Sequence, residues 1–89
     1  MLTLAEIKRR ARVGAQLELV FHVDAKVQTP VPRTVLRVQT NAIAMSPWPG
    51  HSRPSWLYWP PASLVHADGP DTFTILDEQG VPQLTYRFV

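Results

Sequence analysis

The 89-residue sequence contains no cysteine. This absence excludes a disulfide framework, a thiolate metal site and a cysteine nucleophile, and it favours a reducing compartment. No apolar run approaches the roughly 18 residues that a membrane-spanning helix needs. The N-terminal charges follow a short apolar start, whereas in a signal peptide they precede it. We therefore expect a cytoplasmic protein that has no membrane partner.

Motifs for catalysis and cofactor binding are also missing. The glycines are isolated, so there is no glycine-rich phosphate loop, and no serine stands in a nucleophile motif. The histidines are scattered, and the best candidate ligands for a metal site or a small hydrolase are His22, Asp24 and His51. Dedicated metal sites have tighter ligand spacing than this. We expect no cofactor, no metal and no enzymatic activity.

Acidic side chains are few and unevenly placed. Residues 1–53 hold eight basic and three acidic side chains, a net charge of +5. Residues 54–89 hold one basic and four acidic side chains, a net charge of −3. This asymmetry predicts either a basic face for an anionic partner or charge pairing between the two parts of the chain. The basic run of residues 8–12 either complements the negative end of a helix dipole or forms a phosphate-binding face.

The hydrophobic pattern predicts one α+β domain over residues 1–89. A helix is expected over residues 4–13, because Thr3 and Glu6 form a capping box and Gly14 suits the C-terminal end. The hydrophobic period then changes to two, which indicates strands. The helix and five or six short antiparallel strands predict a sheet that curls to protect its edges, as a small SH3-like or partly open β-barrel.

The alternation also assigns faces to the strands. The first strand is expected to bury Leu17, Leu19, Phe21 and Val23. In the second strand, Leu36 and Val38 are expected to face the core, and Arg33 and Arg37 to face solvent. Residues 60–70 are expected to form a turn or a single helical turn. The last 18 residues predict a hairpin closed at Gly80.

The segment of residues 46–61 raises the question of a binding surface. It holds all three tryptophans and five of the nine prolines. A core of this size has room for one or two large aromatic side chains, and the segment supplies Trp48, Trp56, Tyr58 and Trp59. Strand alternation places Trp56 and Tyr58 on one face and Trp59 on the other, with Trp48 in a proline-framed loop. At least one aromatic ring is expected at the surface.

The leading hypothesis is a non-enzymatic module that binds single-stranded nucleic acid weakly, with little sequence preference. Aromatic rings would stack on bases, and basic side chains would contact phosphates with a steep dependence on salt. The candidate binding residues are Trp48, His51, Arg53, Trp56, Tyr58, Trp59, Arg9, Arg10, Arg12, Arg33 and Arg37.

The alternative is a protein-interaction domain, either a homodimer or a small inhibitor or adaptor. It would use the Trp- and Pro-rich loop or an open sheet edge as its contact surface. The position of the helix arginines relative to the aromatic residues distinguishes the two hypotheses. Nucleic acid is favoured if the helix arginines and the aromatic residues share a face, and a protein partner is favoured if they lie on opposite faces.

Overall fold

A computed structural model describes residues 2–89, which form one α-helix, one short 3₁₀ helix and seven strands. The elements are α1 (Leu4–Arg10), β1 (Gln16–His22), β2 (Val31–Val38), β3 (Ala42–Met45), β4 (Ser55–Tyr58), the 3₁₀ helix (Ala62–Leu64), β5 (Val65–Ala67), β6 (Thr72–Leu76) and β7 (Pro82–Phe88). Within these residues, no helix is long and apolar enough to cross a membrane.

The strands pair antiparallel in one sheet with the order β4-β3-β2-β1-β7-β6-β5. The sheet curls into a half-barrel. Because β4 and β5 are its two edges and do not pair with each other, the half-barrel stays open. The expected curled antiparallel sheet with one short helix is confirmed. The expected strand number was too low, because residues Val65–Ala67, assigned to a turn, pair with β6 as a strand.

The core lies on the concave side of this half-barrel. One cluster of buried apolar side chains includes residues from six of the strands, among them Leu17, Ile43 and Phe73. Helix α1 adds Ile7 and Ala11 to the same cluster. The helix therefore packs on the concave side, and the convex side of the sheet faces away from it.

Helix α1 begins as predicted and ends early. The Thr3 hydroxyl accepts a hydrogen bond from the Glu6 amide (3.2 Å), which confirms the N-terminal cap. The helix ends at Arg10 rather than at residue 13. The chain leaves the helix to pair with β2, where the Gly14 amide donates to the Val35 carbonyl (2.9 Å). Gly14 has a φ of +90°, so it serves this turn instead of the helix end.

A bulge in β1 reverses the expected alternation. Leu17 and Leu19 are buried as predicted, but the pairing of β1 with β7 shifts register between Leu19 and Phe21. The extra residue turns the following side chains to the other face. Phe21 is 42% exposed and Val23 is also exposed, so their predicted burial is wrong.

Strand β2 has the opposite orientation from the one that its alternation predicted. Arg33 pairs with Leu17 across the β1–β2 ladder, and cross-strand neighbours share a face, so Arg33 follows Leu17 into the core. A second register shift lies between Val35 and Arg37. Leu36, at this shift, is exposed, and Val38 is exposed although it pairs with the core residue Ile43. Both differ from expectation, whereas Arg37 is exposed as expected.

The C-terminal hairpin forms as predicted. Strands β6 and β7 pair along their length, and the Gly80 amide donates to the Asp77 carbonyl (3.0 Å). Gly80 has a φ of +83°, the left-handed conformation expected at this turn. The inward-facing Phe73 ring lies near both Tyr86 and Phe88, with centroids 6.1 and 5.8 Å away.

Candidate nucleic-acid interface

The structure divides the clustered aromatic residues between core and surface. Trp59 packs against the core with its ring centroid 6.3 Å from that of Phe73. Trp48 also packs against the core, through its loop before β4. Trp56 and Tyr58 remain outside, because Leu57 between them is the β4 side chain that enters the core. Two of the four aromatic residues are thus exposed, and the other two are partly buried against the core.

Trp56 and Tyr58 form a stacked pair on the convex side of the sheet. Their ring centroids lie 6.5 Å apart, and the ring planes differ by 28°. Trp56 is 38% exposed and Tyr58 is 71% exposed. The expected placement of both rings on one face of the strand is confirmed. They provide two nearly parallel rings on a rigid strand, within reach of solvent.

The strand register places an arginine beside this pair. Trp56 is opposite Ala44 in the β3–β4 ladder, and Arg37 is opposite Ala44 in the β2–β3 ladder. Neighbouring strands are about 4.8 Å apart, so the backbones of Arg37 and Trp56 are about 10 Å apart. Ala42, opposite Tyr58, and Ala44 provide small side chains between them. We term Arg37, Ala42, Ala44, Trp56 and Tyr58 the aromatic face.

The strands that carry the aromatic face have no acidic side chain. No aspartate or glutamate occurs between Ala25 and Ala67, whereas this stretch contains Lys26, Arg33, Arg37 and Arg53. All of β2, β3 and β4 lies within it. Of these basic residues, Arg37 lies on the aromatic face and Arg53 in the loop before β4, so the positive charge there comes from these two side chains.

Arg53 and His51 are exposed in the loop that leads into β4. A turn closes this loop, since the His51 amide donates to the Trp48 carbonyl (2.9 Å) and Gly50 has a φ of +85°. Arg53 lies two residues before β4 begins. Both side chains are thus near the aromatic face in the chain and open to solvent.

The helix arginines do not join the aromatic face. Arg10 binds Asp71 (Nη2 to Oδ1, 2.9 Å) and the Pro70 carbonyl (3.0 Å), and its guanidinium covers the Phe88 ring at 4.3 Å. It ties the helix to the start of β6 and the end of β7. Arg9 and Arg12 are exposed beside a shallow pocket of about 540 Å³. Their helix packs on the concave side, with the sheet between it and Trp56.

Arg33, predicted as a surface phosphate ligand, is buried at 1% exposure. Its Nη2 donates to the Ser46 carbonyl (2.7 Å), and its Cζ lies 4.1 Å from the centroid of the Trp48 ring. Within residues 2–89, its Nε and Nη1 have no hydrogen-bond partner. Burial lowers the pKa of Arg33, because desolvation disfavours its charged form, and the nearby Tyr86 opposes this weakly.

The candidate metal ligands His22, Asp24 and His51 do not form a cluster. His22 Nδ1 accepts a hydrogen bond from the Asp24 amide (3.1 Å), and its ring meets Trp48 edge-on. His51 lies in the loop before β4. Among the described residues, no group of three or more histidine, aspartate or glutamate side chains is placed to hold a metal ion.

Sequence reasoning missed a polar cluster on the convex side near β5. The Thr74 hydroxyl donates to Asp68 and lies 2.8 Å from the Thr85 hydroxyl, while His66 Nε2 lies 3.5 Å from Asp68. The alternation of "TFTIL" and "QLTYRF" contained the signal, since it places both threonines opposite the core face. The hydroxyl contacts the carboxylate rather than the imidazole, which is not the order of a catalytic triad.

Comparison of the chain with protein-family models, with curated proteins and with solved structures finds no match. The function is therefore inferred from the geometry and charge of the chain itself.

Proposed function

We propose that this chain is a non-enzymatic module that binds single-stranded nucleic acid on the aromatic face. The observation that carries the proposal is the exposed, stacked pair of Trp56 and Tyr58 on β4, with Arg37 two strands away on the same face and no carboxylate on β2, β3 or β4. Bases would stack on the two rings, a contact worth about 1–3 kcal/mol per base. Arg37 and Arg53 would contact the phosphates.

The exposed rings are better explained by a ligand than by folding. Tyr58 leaves most of its surface in water, so it gains little free energy from burial in the folded chain. Stacking and the rigid strand restrict both rings before a ligand arrives, which reduces the entropy lost on binding. A base covering Trp56 and Tyr58 would remove this apolar surface from water.

The structure also limits the expected strength of binding. Arg33 is buried and Arg10 is paired with Asp71, so fewer cations face a ligand than the sequence alone indicated. Each phosphate contact to a single strand contributes about −0.7 to the slope of log affinity against log salt. With Arg37 and Arg53 as the contacts, we expect a slope of about −1.4, a shallower dependence than first predicted.

The proposal can be tested by fluorescence anisotropy. The protein is titrated into a labelled mixed-sequence single-stranded oligonucleotide at roughly 20 and 200 mM salt. Trp56→Ala and Tyr58→Ala should each weaken binding about fivefold or more. Arg37→Gln should reduce the salt slope by about 0.7. Arg12→Gln is the matched control, because it removes the same charge from an exposed position on the concave side.

Two results would contradict this function. Wild-type protein that binds no oligonucleotide at the lower salt concentration would remove it. Equal losses of affinity in Arg37→Gln and Arg12→Gln, with no effect of the aromatic variants, would indicate a diffuse charge attraction without a site.

A second candidate function is binding to a protein, and two observations favour it. The helix arginines and the aromatic face lie on opposite sides of the sheet, which is the placement expected for a protein partner. Strand β4 is also a sheet edge, with Trp56 and Tyr58 on it, so a partner strand could pair with it. If the partner is a second copy, sedimentation equilibrium should show a concentration-dependent dimer that Tyr58→Lys dissociates. We also propose a cytoplasmic location, which the lack of cysteine favours and which is compatible with either function.

A further inference from the structure

A second candidate site lies on the concave side, and it is independent of the proposed function. Arg33 is almost fully buried, yet within residues 2–89 its guanidinium has a single hydrogen-bond acceptor, the Ser46 carbonyl. Ser46 is itself held in place by Thr34, through a backbone hydrogen bond of 2.8 Å and a hydroxyl contact of 3.1 Å. The acceptor is thus fixed, and it satisfies only one of the guanidinium nitrogens.

The remaining nitrogens of Arg33 are donors without an acceptor. Nε and Nη1 are buried and have no partner in residues 2–89. No carboxylate forms an ion pair with Arg33 among these residues, and the ring of Trp48 covers one face of the guanidinium. A buried cation in this state is destabilising unless an anion or further acceptors meet it. A negatively charged oxygen that accepted hydrogen bonds from Nε and Nη1 would therefore stabilise Arg33.

A cleft of about 380 Å³ lies next to this site and shares the Trp48 side chain with it. Its lining is mostly apolar and includes Leu19, Lys26, Val27, Val31, Trp48 and Pro49. Trp48 lines the cleft and also covers Arg33, so its indole is the boundary between the two. Trp48 belongs to the loop between β3 and β4 rather than to a strand.

We propose that the chain binds a small hydrophobic carboxylic acid at this place. The apolar body of the ligand would occupy the cleft, and its carboxylate would accept hydrogen bonds from Arg33 after Trp48 moves aside. Lys26 is the cation that lines the cleft, and it would attract the carboxylate to the opening. A carboxylate matches the single charge of Arg33, and the apolar lining offers little to a phosphate, which carries more charge and no apolar body.

Isothermal titration calorimetry with octanoate, with its uncharged counterpart octanol and with inorganic phosphate tests this site. Octanoate should bind about tenfold or more tightly than octanol, because a charge-assisted hydrogen bond then forms in a desolvated place. Arg33→Met should abolish this preference, whereas Lys26→Gln, the matched loss of charge at the cleft, should retain most of it. Oligonucleotide binding should be the same in wild type and Arg33→Met, which separates this site from the aromatic face.

The wild-type protein provides a measurement that does not depend on the folding of a variant. The Nε–H resonance of Arg33 in an NMR spectrum should shift on addition of octanoate and remain unchanged with octanol. An unchanged resonance, or equal affinities for the acid and the alcohol, would overturn the proposal. Phosphate binding as tight as that of octanoate would also overturn it, because the apolar body would then contribute nothing.

Discussion

The guanidinium carbon of Arg33 lies 4.1 Å from the centroid of the Trp48 ring, inside the half-barrel. Both residues were candidates for a surface that binds nucleic acid, and they contact each other instead. A desolvated cation–π contact contributes about 2 kcal/mol, whereas burying a charge costs several kcal/mol. The pair therefore leaves a net cost in the core, which a bound anion would offset.

Arg33→Met should leave the free energy of unfolding unchanged or raise it by about 1–2 kcal/mol, because it replaces a buried unpaired charge with an apolar side chain of similar length. Urea denaturation measures this change. Arg37→Met on the same strand is the control, and its exposed position predicts an effect within about 0.5 kcal/mol. A loss of stability in Arg33→Met would mean that the Ser46 and Trp48 contacts outweigh the cost of desolvation.

We expect the stability of the fold to decrease at alkaline pH because of Tyr86. Burial raises the pKa of Tyr86, and the nearby charge of Arg33 lowers it by less. A pKa that is higher in the folded state gives a contribution that is fully present below the unfolded-state pKa of about 10 and is lost as pH rises through the folded-state value.

Urea denaturation at a series of pH values should therefore show a wild-type stability that falls above about pH 10. Tyr86→Phe should make this decline shallower, because it removes the titrating hydroxyl. Tyr58→Phe, which removes the same group from an exposed position, should leave the wild-type decline in place. Parallel declines in wild type and Tyr86→Phe would contradict this prediction.

The bulge in β1 predicts unequal effects for two apolar residues that the simple alternation treats alike. Leu19→Ala should lower the free energy of unfolding by about 2–5 kcal/mol, because it leaves a cavity in the core. Phe21→Ser should change it by less than about 1 kcal/mol, because Phe21 lies on the exposed face after the bulge. Thermal or urea denaturation checks both, and equal losses would place Phe21 in the core.

Two adjacent aromatic residues should differ in the same way. Trp59→Ala should cost about 2–3 kcal/mol of stability, since Trp59 packs against the core and Phe73. Tyr58→Ala should cost about 0.5 kcal/mol, and its main effect should be on oligonucleotide binding. A folded Tyr58→Ala with wild-type stability is also what makes the binding experiment interpretable. A loss in Tyr58→Ala as large as that in Trp59→Ala would place Tyr58 among the structural residues.

Local sequence patterns were sufficient for the features that depend on short-range chemistry. The cap at Thr3, the hairpin closed by Gly80 and the common face of Trp56 and Tyr58 depend on residues a few positions apart. Alternation along a single strand thus predicted that Trp56 and Tyr58 share a face, whereas the structure shows that this face is the exposed one. Arg37 was among the predicted binding residues, but its position beside the rings, and that of the alanines of β3, depends on pairing between strands.

The sequence by itself determined an antiparallel sheet, a capped helix and at least one aromatic ring at the surface. Only the tertiary structure decided that Arg33 is buried, that Phe21 is exposed and that Val65–Ala67 is a strand. Each of these depends on register between distant segments: the pairing of Arg33 with Leu17, the bulge of β1 against β7 and the partnership of β5 with β6. A shift of one residue in register turns a side chain to the other face of the sheet, and hydrophobic periodicity along one strand contains no information about such a shift.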